Sequence, residues 1–205
     1  MTTQELTLVG VNVLYLLALL NPMSKVSILI AFPPDQQKTR LLAAATRASL
    51  VAAAILFVTM IIGDFLLRVV FHVELYALQL AGGVVVFWVG MNGLRKGRFF
   101  EHDAKVKWED IALVPLACPM IAGPATIAAS IALHSQQGLL LPTISLFVAL
   151  GINHLIMLFS QGIGRFLGHL QILGAIIRIT GLIVMTIGTQ MALDGLAAWW
   201  AAKHL

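Results

Sequence analysis

Long apolar runs, broken by short charged ones, set the grain of this chain. Six such runs can be drawn, over residues 6–32, 41–70, 75–94, 111–133, 139–160 and 173–198. A helix crossing the hydrocarbon core of a bilayer needs about 20 mostly apolar residues, and each run is long enough. The pattern predicts an all-α integral membrane protein of six transmembrane helices. Two runs are interrupted. The first contains Asn21-Pro22, and the fourth carries Pro115, Pro119 and Pro124 within one stretch that also holds Gly123. Proline lacks a backbone donor and clashes with the carbonyl four residues back, so each interior proline breaks or kinks its helix. A residue before proline, such as Gly123, is pushed out of helical geometry. Broken backbone survives at membrane depth only where protein buries it or a cavity receives it. The breaks are therefore read as a site.

The two halves of the chain echo one another. Asn21-Pro22-Met23 answers Cys118-Pro119-Met120 at an offset of 97, and Gly123-Pro124 offers a second counterpart for Asn21-Pro22. Ala81-Gly82 and Asn92-Gly93-Leu94 answer Thr180-Gly181 and Asp194-Gly195-Leu196 at an offset near 100. Three spans per copy force the second copy upside down, which is the inverted-repeat plan of many secondary transporters. The expected organisation is one membrane domain, with a first three-span repeat over residues 1–95, a cytoplasmic loop over 96–110 and a second repeat over 111–205. Broken first and fourth helices would meet at its centre.

Composition agrees with the pattern. Apolar residues make up 60% of the 205 and charged residues 11%, against roughly a quarter charged in soluble domains. The net charge of +4 sits in loops, so it speaks for topology and not for nucleic-acid binding. Lys38, Arg40, Arg95, Lys96, Arg98, Lys105, Lys107 and Arg165 follow spans one, three and five, while the other side has little beyond Arg68 and Lys203. The positive-inside rule then puts those loops in the cytoplasm and both termini outside. Trp199-Trp200 suit an interfacial aromatic belt. No Lys or Arg precedes the first run, so no cleaved signal peptide is expected. A lone cysteine, Cys118, permits no intrachain disulfide and matches no metal-ligand spacing.

The chemistry concentrates at the breaks. Asn21 suits an N-cap and Pro22 the first position of a restarted helix, with Gly123 and Pro124 in the same roles in span four. Each restart would expose amides, those of Met23, Ser24 and Lys25 in one and Ala125, Thr126 and Ile127 in the other, and such N-termini attract anions. The preceding half-helices would end in unpaired carbonyls, around residues 18–20 and 115–118, which can hold a cation or an ammonium group. A zwitterion satisfies both. Lys25 stands on the order of 12 Å inside the span at 1.5 Å per residue; it either snorkels to the headgroups or helps hold a carboxylate. Cys118 lies beside the second break, where a small apolar role is the alternative to ligand contact. Asp64 is spaced to pair with Arg68, and Arg47 and Arg178 are near enough to the cytoplasmic face to snorkel. Asn153 and His154 read as a hydrogen-bonded pair between helices, with a proton relay as the other reading. Asp194-Gly195 reads as a helix stop, and Gly82, Gly83, Gly90, Gly181 and Gly188 as sites of close helix contact.

Asn21-Pro22, then Val114-Pro115-Leu116-Ala117 with Pro119, Ala122-Gly123-Pro124 and Ile127, and Arg178-Ile179-Thr180-Gly181-Leu182 through Gln190 and Asp194-Gly195 resemble the MarC family. These are six-span inner-membrane proteins related to the LysE-type exporters. The resemblance covers nearly the whole chain. It implies a cytoplasmic-membrane protein with outward termini, and an archaeal member regarded as a neutral amino acid transporter implies transport. Carried over by motif, it puts Asn21, Pro22, Pro119, Gly123, Pro124 and Thr126 at the substrate site. Met23-Ser24-Lys25 and Ala125-Thr126 depart from common family usage. The expected substrate-binding set is therefore Asn21, Pro22, Ser24, Lys25, Cys118, Pro119, Gly123, Pro124 and Thr126.

The reading is a secondary transporter of small neutral solutes, amino acids foremost, with no cofactor, a coupling ion (proton or sodium) left open, and no nucleic-acid partner. Its partners are the solute and the lipid bilayer, and self-association into a homo-oligomer would shield the breaks from lipid. The rivals are a non-transporting structural or sensor protein and a passive channel. An intramembrane enzyme would want a paired nucleophile and base, and the sequence offers none.

Overall fold

The computed structural model describes residues 2–30, 38–97, 112–169 and 172–204. Helix dominates. In chain order the elements are α1 (Thr3–Leu20), α2 (Pro22–Ile30), α3 (Lys38–Phe65), which continues as a π-helical turn (Leu66–Val70), and α4 (Leu75–Lys96). A π-helical segment (Ala112–Ile121) leads to α5 (Pro124–Gln137), followed by α6 (Leu140–Leu158), α7 (Ser160–His169) and α8 (Leu173–His204). Among the described residues, five stretches are long and apolar enough to cross a membrane: Thr3–Val26, Leu42–Gly63, Leu75–Lys96, Leu140–Leu158 and Leu173–His204. The fourth predicted span, residues 111–133, is not one helix. It is the π segment and α5, joined through Ala122-Gly123.

Burial inverts the soluble rule. Trp88, Leu140, Phe159 and Phe166 are more than half exposed on the outside of the bundle, which suits hydrocarbon as the surrounding solvent. The core mixes alanines of α3 (Ala45, Ala48, Ala52) with Leu16, Leu56, Met60, Leu146 and Met157. Small residues let helices approach where lipid supplies no hydrophobic drive for association.

The closest approach is between α4 and α8, which run antiparallel. A Cβ on Gly83 would lie 2.6 Å from the Gly188 carbonyl oxygen, and one on Gly188 would lie 2.7 Å from that of Gly83. Gly90 and Gly181 face each other in the same reciprocal way, at 2.7 and 2.9 Å. A Cβ on Gly195 would sit 2.7 Å from the Tyr76 carbonyl oxygen. Nothing larger than hydrogen fits at these points. Gly195 is thus a packing glycine and not a helix stop, since α8 runs on to His204. Lys203 then lies over the Trp199 ring at 5.0 Å.

The stretch after α6 holds a helix, where the sequence suggested a loop carrying Arg165. The chain turns at Phe159 and restarts as α7, which packs on α2: Gln161 Nε2 donates to the Leu29 carbonyl at 3.1 Å. Ser160 and Leu167 are buried there, an amphipathic pattern too short to read as a span. Most of the charged loop over residues 95–110, and the side chains of Asp64, Pro115 and Pro119, lie outside what the structure describes.

Candidate functional site

The first break is made by Asn21. Its backbone is left-handed (φ 48°, ψ 73°), a conformation asparagine tolerates better than most residues. Its N–H donates to the Leu17 carbonyl at 2.9 Å and closes α1, and Pro22, with φ fixed, opens α2. Asn21 therefore ends the first helix and does not cap the second with its side chain, because side-chain capping requires an extended backbone at that residue. Its Oδ1 is buried with no hydrogen-bond partner among the described residues. Ser24 turns back on the break: its N–H and Oγ both donate to the Asn21 carbonyl, at 3.1 and 2.7 Å. The Ser24 amide, expected to be free, is thereby bonded.

The second break falls at Ala122-Gly123. Pro119 is inside the π segment, whose wider turn brings the Ala122 N–H to the Ala117 carbonyl five residues back, at 2.8 Å. That carbonyl was among those expected to be unpaired. Gly123 is extended (φ −89°, ψ 167°) and Pro124 starts α5. The counterpart of Pro22 is thus Pro124 and not Pro119. Thr126 fastens the break. Its Oγ1 accepts from the Gly123 N–H at 3.0 Å and lies 2.7 Å from the Ile121 carbonyl and 3.0 Å from that of Gly123. With one proton to give, the hydroxyl favours the nearer Ile121. The Ile127 N–H bonds the Gly123 carbonyl at 3.0 Å, so this amide too is satisfied. The amides of Ala125 and Thr126 remain without an intrahelical acceptor. In both breaks a hydroxyl stands two residues beyond the proline and turns back on the backbone before it.

The two breaks open onto one cavity of about 250 Å³. Asn21 and Ser24 line it from the first break, and Gly123, Pro124, Ala125 and Thr126 from the second. Its walls are apolar, with Val85, Val86 and Val89 from α4 and Val184 from α8. Sequence reasoning missed these valines. The available signal was that Val86 shares the helix face of Gly83 and Gly90, at the spacing of three and four residues that makes one stripe.

Not every expected residue reaches the cavity. Cys118 is exposed and does not line it, because the π turn carries its side chain to the outside of the bundle. Pro22 does not line the cavity either; its part is to start α2. The Pro119 side chain lies outside the described residues. Lys25 is fully buried, so it does not snorkel, and it too is absent from the cavity wall. Its Nζ has no hydrogen-bond partner among the described residues, as is the case for Asn153 Oδ1 and Ser160 Oγ. A buried ammonium without a partner is expensive, by several kcal/mol on a general scale. His154 Nδ1 lies 3.0 Å from Ser49 Oγ, a bond that ties α6 to α3, and Asn153 Nδ2 points to Met157 Sδ at 3.4 Å. Gln190 Nε2 donates to Asp194 Oδ1 at 2.7 Å.

Comparison with known proteins places this architecture. A UPF0056 membrane protein of Pyrococcus horikoshii is 30% identical over 184 residues, 90% of this chain and 91% of the relative. One of Aquifex aeolicus is 32% identical over 193 residues, 89% of each chain. The UPF0056 inner membrane protein YhgN of Escherichia coli K12 is 27% identical over 188 residues, 90% of this chain and 93% of its own. No solved structure matches the chain. The sequence model of MarC family integral membrane proteins matches residues 6–200, nearly the whole described bundle with both breaks, and the chain belongs to the MarC family.

Proposed function

We propose that this protein is a secondary transporter of small neutral solutes, amino acids foremost, in the cytoplasmic membrane with both termini outside. One observation carries the reading: the proline breaks of the first and fourth predicted spans line a single cavity. Matched interruptions in two halves are the sequence pointer to a transporter site. The reciprocal Gly83–Gly188 and Gly90–Gly181 contacts support two halves related by an inverted repeat, as does the shared proline-to-hydroxyl spacing at the breaks.

The cavity's chemistry suits a zwitterion. The amides of Ala125 and Thr126 at the start of α5 offer donors to a carboxylate, reinforced by the positive end of the helix dipole. Asn21 Oδ1, without a hydrogen-bond partner among the described residues, offers an acceptor to an ammonium group. The valines receive a short apolar side chain. A volume of about 250 Å³ lies below the roughly 300–1,000 Å³ of sites for drug-sized ligands. Lys25, buried one residue beyond Ser24, adds positive charge from behind the wall, the kind of intramembrane charge that marks substrate pathways.

The test is uptake of a panel of radiolabelled neutral amino acids into proteoliposomes under proton, sodium and voltage gradients. Saturable uptake of at least one, competed by its unlabelled form, supports the reading. No flux under any gradient overturns it in favour of a structural or sensor protein, and non-saturating flux overturns it in favour of a channel.

A further inference from the structure

A second cavity, of about 390 Å³, lies among α1, α4, α5 and α8, which also line the first. Its lining includes Asn12 and Tyr15 of α1, Gln79 of α4, and Gln190, Met191 and Asp194 of α8. The central cavity takes Leu19 and Leu20 of α1, Val85, Val86 and Val89 of α4, Thr126 of α5 and Val184 of α8. Passing from the first cavity to the second thus means moving toward the N-terminus on α1 and toward the C-terminus on α8. The second cavity is stacked on the first, on the side of the chain termini.

Little separates them. Tyr15 and Leu19 are one turn apart on α1, as are Ala129 and Thr126 on α5 and Ile187 and Val184 on α8. One turn is about 5.4 Å of rise. Met191, only 5% exposed, fills the level between. It is seated on Gly82, where a Cβ would lie 3.0 Å from Met191 Cε and 2.9 Å from Ala128 Cβ. Methionine has an unbranched, freely rotating side chain that can leave such a seat without moving a helix.

The upper cavity carries more polar side chains than the lower one. Asn12 and Gln137 exchange hydrogen bonds of 2.7 and 3.4 Å between α1 and α5, which holds the rim together. Asp194 is the charged group among the described lining residues, and Gln190 occupies one side of it at 2.7 Å. An ionised carboxylate accepts further hydrogen bonds, and a single negative charge among amides favours a cationic group over an anionic one.

We infer that the upper cavity is the vestibule by which solute reaches the central cavity from the side of the termini. Asp194 receives an ammonium group there, and Met191 on Gly82 is its movable floor. The inference rests on the transporter reading for its solute, but its geometry can be tested without transport. In a Cys118→Ser background, Gln190→Cys and Ala125→Cys report the upper and lower cavities by their rates of reaction with membrane-impermeant methanethiosulfonates. Reagent is applied to the side of the termini of reconstituted protein. A cationic reagent should modify Gln190→Cys faster than an anionic one, on the order of tenfold for one nearby charge, and Asp194→Asn should remove the preference. Adding Met191→Ala, or Met191→Val should the first variant lose its monodisperse elution, should speed modification of Ala125→Cys at least fivefold. Equal rates for the two reagents would overturn the role of Asp194. An unchanged Ala125→Cys rate in folded Met191 variants would overturn the floor. Open labelling without solute flux in wild-type vesicles would instead sink the transporter reading and leave the passage standing.

Discussion

Replacing Thr126 by valine keeps the shape of a buried side chain and removes only its hydroxyl. In the native break that hydroxyl accepts from the Gly123 N–H at 3.0 Å and donates to the Ile121 carbonyl at 2.7 Å. The Gly123 carbonyl keeps the Ile127 N–H at 3.0 Å, so two backbone groups lose their partner and not three. Both belong to buried residues, Gly123 and Ile121. A buried group left unsatisfied costs about 1–3 kcal/mol, so the pair should cost about 2–4 kcal/mol after partial hydration from the adjoining cavity. At 2–4 °C per kcal/mol for a chain of 150–250 residues, Tm should fall by about 5–15 °C. Thr126→Ser keeps the oxygen and gives up one methyl, about 0.8 kcal/mol if fully buried, so its Tm should stay near wild type. The assay is thermal unfolding of detergent-purified protein, followed by the loss of the monodisperse gel-filtration peak. A Thr126→Val Tm within about 2 °C of wild type, a change of under 1 kcal/mol, would refute the claim that this hydroxyl fastens the break. So would a serine variant as unstable as the valine one.

Other outcomes follow from the same geometry. Lys25→Met should raise Tm, because it removes a buried ammonium with no hydrogen-bond partner among the described residues, and should abolish uptake in proteoliposomes; unchanged transport would remove Lys25 from the proposed mechanism. Gly90→Ala places a Cβ 2.7 Å from the Gly181 carbonyl oxygen and should cost about 1–3 kcal/mol as overpacking, read as a lower Tm. Gly10→Ala, which meets nothing within 4 Å, should be neutral or gain about 0.5–1 kcal/mol of helix propensity. Cys118 should react with a lipid-soluble maleimide, and Cys118→Ser should transport like wild type, since the thiol faces outward; loss of uptake would return it to the site. His154→Ala should cost about 1 kcal/mol, the net value of one hydrogen bond to Ser49, with no change in the pH dependence of uptake. A shifted pH profile would revive the proton relay.

The sequence by itself determined the medium, most of the helices and the breaks. Long apolar runs admit only spanning helices, and Pro22 and Pro124 have no donor with which to continue a helix, so both restarts could be read residue by residue. Glycine stripes marked the α4–α8 contact because only a hydrogen fits there. Tertiary structure decided the rest. Local pattern could not tell that Pro119 would be absorbed in a π turn, which also swings Cys118 outward; that depends on how the segment packs against α3. Nor could it tell that Asn21 would close one helix in place of capping the next, because asparagine suits both roles and the neighbouring helices choose. Lys25 had two sequence readings, and burial among packed helices removed the snorkelling one. Asp194 looked like helix-end chemistry until α8 continued past it and α1 came alongside. The central cavity itself is a tertiary object. Its polar rim was legible from proline and glycine, but its valine walls exist only because four helices from distant parts of the chain meet there.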